Sequence, residues 1–153
     1  MAFYQGEPFS DSGVAIRAVA PEEVQRAPKS PDYADEISQW VELAKSDDGV
    51  LVFGIATESA LVGQIFLHDQ DSAGSSLVGY YLFEAGSRSK GIGTTALRLL
   101  KRHVTARTGL KRLVAITTDD NVASRRVAEK DGFVFVGPSR EDPEHGIVLA
   151  WRF

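Results

Sequence analysis

The sequence predicts a single α+β domain, and three observations carry that prediction. Seven runs rich in apolar and branched residues are interleaved with four stretches of helical periodicity, in the order βααββ and then βαβαββ. Two of the β-rich runs, 49–56 and 61–67, flank the short polar turn Thr57-Glu58-Ser59, which marks a hairpin. At 153 residues, with 43% apolar and 25% charged residues and no internal repeat, the chain is long enough to bury one core and needs no second domain.

Each element has its own signal. Residues 1–13, polar and holding Pro8 and Gly13, read as a flexible leader, so the folded domain is expected over 14–153. Val14 to Val19 alternates as a first strand, stopped by Pro21, and a short helix follows to Ala27 before Pro28. In the second helix Ser30 suits the cap and Pro31 the first position, while Asp32, Asp35 and Glu36 sit near the positive end. Its stripe of Tyr33, Ile37, Trp40, Val41 and Ala44 forms one buried face, so Trp40 reads first as core.

After the hairpin, 69–76 is a loop and 77–83 a strand. The third helix buries Ile92, Ala96, Leu99, Leu100, His103 and Val104 and turns Arg98, Lys101 and Arg102 outward, which makes His103 structural; Gly109 ends it. A branched strand, 110–118, leads to a helix capped at Asp119, Asp120 or Asn121 and closed by Gly132, and 133–136 and 147–153 complete the sheet.

Composition sets the bounds. No apolar run approaches the length of a membrane span, no basic-then-apolar start marks a signal peptide, and the absence of cysteine removes disulfides and thiolate chemistry. The default is a cytoplasmic protein. Net charge is −4, but residues 1–76 hold four Lys/Arg against thirteen Asp/Glu, whereas Arg88 to Arg112 carries eight bases and no acid. That basic stretch suits phosphates; it lies on one helix and lacks the interleaved aromatics of a nucleic-acid surface. His68, His103 and His145 show no metal-ligand spacing, so no metal is expected.

Tyr80 to Gly93 is the most informative stretch: a strand, then Arg88-Ser89-Lys90-Gly91-Ile92-Gly93, then at once a helix starting at Thr94. Glycines let the backbone approach a ligand, the helix start offers unpaired amides, and Arg88 and Lys90 add cations, so a pyrophosphate fits there. No Walker string occurs. Gly91-Ile92-Gly93-Thr94-Thr95-Ala96 matches the dinucleotide fingerprint, but seven residues separate it from the strand end at Phe83, where that fold allows none.

Arg88 to Gly93 resembles the [QR]-x-x-G-x-[GA] signature of the Gcn5-related N-acetyltransferases. Asn121 to Phe133, opening with Asn and closing with Gly132-Phe133, is similar to that family's later helix. The resemblance implies a mixed, mostly antiparallel central sheet of about seven strands flanked by about four helices. It implies acetyl-CoA as co-substrate, with its pyrophosphate on Arg88, Ser89, Lys90, Gly91, Ile92, Gly93 and Thr94. The strand before the loop would splay from its neighbour, so that backbone groups of Tyr81, Leu82 and Phe83 bind pantetheine and an N-H near Phe83 meets the oxyanion. Asn121 would contact pantetheine, a role its residue type shares with a plain N-cap.

The family's common thiolate-protonating tyrosine is absent, since Ala128 stands there. Ser124 is present, as in the branch resembling ribosomal-protein N-terminal acetyltransferases, and is expected to hydrogen-bond the departing thiolate. Glu84 and His68 are the candidate bases, each also readable as a surface residue. The acceptor is expected to be an amine, either a small molecule or a peptide N-terminus, approaching past the first two helices; neither nucleic acid nor membrane is a partner, and a homodimer is left open. The competing reading is a non-catalytic acyl-CoA-binding or regulatory module.

Overall fold

The computed structural model describes residues 3–46, 49–87 and 90–152. Eight strands form one sheet, β1 (Phe9–Asp11), β2 (Val14–Arg17), β3 (Leu51–Thr57), β4 (Leu61–His68), β5 (Ser75–Leu82), β6 (Arg112–Thr118), β7 (Val134–Pro138) and β8 (Gly146–Arg152), in the spatial order β1-β2-β3-β4-β5-β6-β8-β7. The helices are α1 (Pro21–Arg26), α2 (Ala34–Ser46), α3 (Ile92–Arg107) and α4 (Val122–Lys130). All neighbours pair antiparallel except β5 and β6, which run parallel.

The two faces follow strand alternation. One buries Ile16, Phe53, Ile65 and Leu67 under the Leu97, Leu99, Leu100 and Val104 side of α3. The other buries Val52, Phe66 and Phe83 under Val24 of α1 and Ile37, Val41 and Ala44 of α2. Paired residues share a face, so Tyr80, opposite Ile65, belongs to the α3 side, and Tyr81, opposite Gln64, to the α2 side.

Of the residues read as a flexible leader, Phe3 to Gly13 are built into the fold. Ser12 (φ 54°) and Gly13 (φ 79°) form a two-residue turn between Asp11 and Val14, the left-handed pair a tight hairpin requires, and this adds the eighth strand. Phe3 and Tyr4 are buried; Tyr4 stacks on Phe53 and, with Phe9, meets the His103 ring edge-on. His103 is structural, as expected, and burial lowers its pKa. The α2 N-terminus also differs. Ser30 closes a turn over Asp32 and Tyr33, and the helix proper starts at Ala34.

Much of the basic stretch has structural partners. Arg98 and Arg102 both reach Asp11, at 3.0 and 3.5 Å. Arg107 donates to the Tyr4 hydroxyl and lies over the Phe9 ring, and Lys101 donates to the Asp131 carbonyl above the Trp151 ring. The cations expected to face outward therefore pin the first hairpin and the end of α4 to α3.

Candidate functional site

The site begins where β5 and β6 part. They pair only at Ser75–Arg112, Ser76–Leu113 and Leu77–Val114; beyond that β5 continues to Leu82 beside β4 alone, and β6 continues to Thr118 beside β8 alone. A cleft opens between them toward the first turn of α3.

Which backbone groups face this cleft follows from the β4 ladder. Phe83 N-H donates to the Val62 carbonyl at 2.8 Å, so in an antiparallel ladder the groups of Tyr81 also point to β4, and those of Tyr80 and Leu82 point the other way, into the cleft. The Phe83 carbonyl accepts from Ser30 N-H at 2.6 Å. Phe83 therefore lacks the free N-H expected of it, and Tyr81 turns its backbone from the cleft; Leu82 keeps its expected orientation.

At the cleft's upper end, Gly91 is the N-cap of α3 in the left-handed region (φ 77°), with no side-chain cap. The amides of Ile92, Gly93 and Thr94 are thus the unpaired donors of a helix start, and the dipole there favours an anion. Gly91 earns its place by conformation rather than space, since nothing lies within 4 Å of a Cβ built on it. At Gly93 the reverse holds: an added Cβ would sit 3.2 Å from the Tyr80 ring. Ile92 is buried, Thr94 half-buried and Lys90 exposed; Arg88 and Ser89 lie outside the described residues.

α4 flanks the cleft on the α3 face. The Asn121 side chain accepts from Ser124 N-H at 3.1 Å and so is the N-cap in fact. Burial raises the pKa of the half-buried Tyr80 hydroxyl, and the Ser124 side chain pulls it back in part. Ala128, where many relatives of the resembling family carry tyrosine, is core. Tyr80 is the residue sequence reasoning missed. Its signal was the Tyr80-Tyr81 pair, in which one ring must face each side of the sheet.

The opposite face holds a row of rings: Tyr33 lies 5.7 Å from Tyr81, Tyr81 6.2 Å from Phe66, and Trp40 4.4 Å from Phe66 and 4.7 Å from His68. Trp40 is half-buried, a wall of this row rather than core alone. His68 Nδ1 lies 2.7 Å from Asp69 Oδ2, and Asp69 adopts φ 50°, which folds its carboxylate back to its neighbour. His68 pairs with Leu77, the level at which the strands part. Glu84 is exposed at the other end of β5, about 23 Å along the strand, so the two candidate bases are not brought together.

The sequence pattern defining the acetyltransferase (GNAT) domain matches residues 8–134, and the chain belongs to that family. Among curated proteins no sequence matches it. Solved structures share its fold: the RimL ribosomal-protein acetyltransferase in complex with coenzyme A, at 19% identity and TM-score 0.76, with 96% of this chain and 98% of that one covered. The ribosomal-protein-S5-alanine acetyltransferase from Vibrio fischeri is similar at 18% identity and TM-score 0.73, over 96% and 97% of the two chains. The microcin C7 self-immunity acetyltransferase MccE, in complex with acetyl-CoA and AMP, is similar at 17% identity and TM-score 0.70, over 94% of each. Among the described residues no helix is long and apolar enough to cross a membrane.

Proposed function

We propose that the chain transfers the acetyl group of acetyl-CoA to a primary amine by direct attack of the amine on the thioester. The observation that carries this reading is the parting of β5 and β6 above Leu77 and Val114, which opens a cleft bordered by Tyr80 and Leu82 backbone and ending at the uncapped turn of α3. Pantetheine, an amide chain, would pair with the Tyr80 and Leu82 groups as an added strand; the pyrophosphate would meet the amides of Ile92, Gly93 and Thr94, with Lys90 and, from the resemblance, Arg88 and Ser89 beside them. The Asn121 amide nitrogen would be the further pantetheine contact.

The thioester then lies near the bottom of the cleft, between two faces of unlike chemistry. On the α2 face, His68, oriented through Nδ1 by Asp69, presents Nε2 as general base, directly or through one water. Glu84, at the phosphate end, does not fit that task. Tyr33, Trp40, Tyr81 and the Glu36 carboxylate line the approach, an aromatic and acidic wall suited to an amine that arrives as a cation. On the α3 face Ser124 donates a hydrogen bond to the sulphur as it leaves. The developing oxyanion would be met by an N-H of the Tyr80–Leu82 row.

Incubating the protein with acetyl-CoA and a panel of peptides and small amines, with release of coenzyme A thiol as the readout, tests the reading. Turnover is expected, and His68→Gln should lower kcat about 10²-fold while leaving the KM for acetyl-CoA unchanged. Coenzyme binding without turnover on any amine would reassign the chain to a non-catalytic acyl-CoA-binding module.

A further inference from the structure

On the far side of the β5 and β6 pairing, the face of the sheet that α1 and α2 cover elsewhere is bare. Pairing carries one level straight across that face, from His68 to Leu77, Val114, Ala150 and Val134. The core under α1 and α2 takes in side chains of β3 and β4 but nothing of β6, β7 or β8. Ile116 and Val134 are accordingly 50% and 66% exposed on an apolar floor. An open concavity of about 460 Å³ lies in this floor, and its lining includes Val134, Val136 and Ala150 together with Arg112 and Arg152. Neither guanidinium has an ion-pair partner among the described residues, and Arg112 Nε is buried without a hydrogen bond. A buried donor left unmade is costly, so two such arginines beside apolar side chains point to an anionic group that arrives from outside. Resting on the acetyl-transfer reading above, we propose that the floor of β6, β8 and β7 docks the body of a polypeptide acceptor, with apolar side chains over Val114, Val134 and Ala150 and an acidic one at Arg112 and Arg152.

The floor is continuous with the place where the amine would react, because His68 stands on its level and Leu77 and Val114 lie between. Arg152 is three strands over from His68 and two residues below that level, which sets the two about 16 Å apart. An extended chain spans that in about five residues, so the acidic side chain belongs about five positions from the acetylated amine. The opposite end of the floor repels it: Asp120, exposed there, accepts from the Thr118 hydroxyl at 2.6 Å. A small amine held at the α2 wall alone would leave this floor unused. A second copy of the chain fits it less well. Turned face to face about an axis along the strands, two copies would set their arginine ends together; about an axis across the strands, they would set α2 against α2. An extended polypeptide meets neither obstacle, since it lies on the floor beside α2.

The test compares three acceptors: a hexapeptide with valine at its second and third positions and glutamate at its fifth, the same peptide with lysine in place of the glutamate, and alanine amide. Kinetics is measured for the wild type, Arg152→Glu and Val134→Lys, both substitutions of exposed side chains. The wild type should show a kcat/KM about fivefold higher for the glutamate peptide than for the lysine peptide, a difference that high salt erodes. Arg152→Glu should reverse that order, and Val134→Lys should raise KM for both peptides severalfold. Neither should alter the kinetics of alanine amide. Calorimetry of the same peptides onto the coenzyme A complex repeats the comparison without turnover. Equal kcat/KM and equal affinity for the two peptides, or variant effects that extend equally to alanine amide, overturn the inference and leave acetyl transfer standing. The peptide preference in calorimetry with no turnover on any acceptor leaves the docking floor standing and overturns acetyl transfer. A wild type that sediments as a dimer, with Val134→Lys a monomer, gives the floor to a second copy and overturns the inference.

Discussion

The Tyr81 hydroxyl donates to Glu36 Oε2 at 2.9 Å, joining the strand that borders the cleft to the helix over its opposite face. Burial, then the Glu36 carboxylate, push that phenol up to about 12, so the bond persists across any ordinary assay pH. On the face proposed to receive the amine, Tyr81→Phe is expected to raise the KM for the amine severalfold and leave that for acetyl-CoA unchanged. Varying each substrate in turn checks this; a change confined to acetyl-CoA would place Tyr81 on the coenzyme instead.

Gly91→Ala introduces a side chain into empty space at a left-handed position. The expected cost is about 1–2 kcal/mol of backbone strain at the start of α3. It should appear as roughly tenfold weaker acetyl-CoA binding by calorimetry, because relieving the strain moves the amides proposed to hold the pyrophosphate. Gly13→Ala is the matched control, with φ 79° and equally open surroundings but a place in the first hairpin. It should lose similar stability and no affinity.

Asp131 is buried at the end of α4 with Oδ2 unpartnered, and burial raises its pKa to about 6, with Lys101 and Arg98 pulling it back only in part. A carboxyl whose folded value is raised holds its proton more tightly in the folded chain. Its contribution is therefore full below about pH 4, the unfolded value, and is lost as pH rises through 6. Asp131→Asn removes that loss, so urea denaturation should show a gain on the order of 2 kcal/mol at pH 8 and none at pH 4. The Lys101 bond to the Asp131 carbonyl remains in this variant. An equal gain at both pH values would assign the effect to packing.

What the sequence made legible was whatever local chemistry dictates. Gly91 before a helix, Gly132 (φ 85°) as a stop and Asn121, one of three candidate caps, each meet a backbone demand that few residues satisfy, and each is used that way, although α3 begins at Ile92, two residues before Thr94. The first hairpin escaped because β1 has only three residues, too few for alternation to show, and the Ser12-Gly13 turn was its single cue. The partners of the basic stretch escaped because charge gives a sign and not an address: Arg98 finds Asp11, 87 residues away. Strand register hid the rest, since whether Phe83 or Leu82 faces the cleft depends on a pairing with Val62 that no local pattern encodes.

The parting of β5 and β6 also has a mechanical meaning. Hydrogen-bonded continuity across the sheet narrows to the three residue pairs from Ser75 to Leu77, a seam between a leaf of β1 to β5 and a leaf of β6, β8 and β7. α3 packs under the first leaf and against α4, which belongs to the second, so it straps the two together. Load passing between the leaves runs through that helix, whose first turn is the one that would grip the coenzyme. An occupant of the cleft would stitch the seam along its length, and binding should then slow solvent exchange of the β6, β7 and β8 amides more than that of the β2 and β3 amides, which are already sewn in.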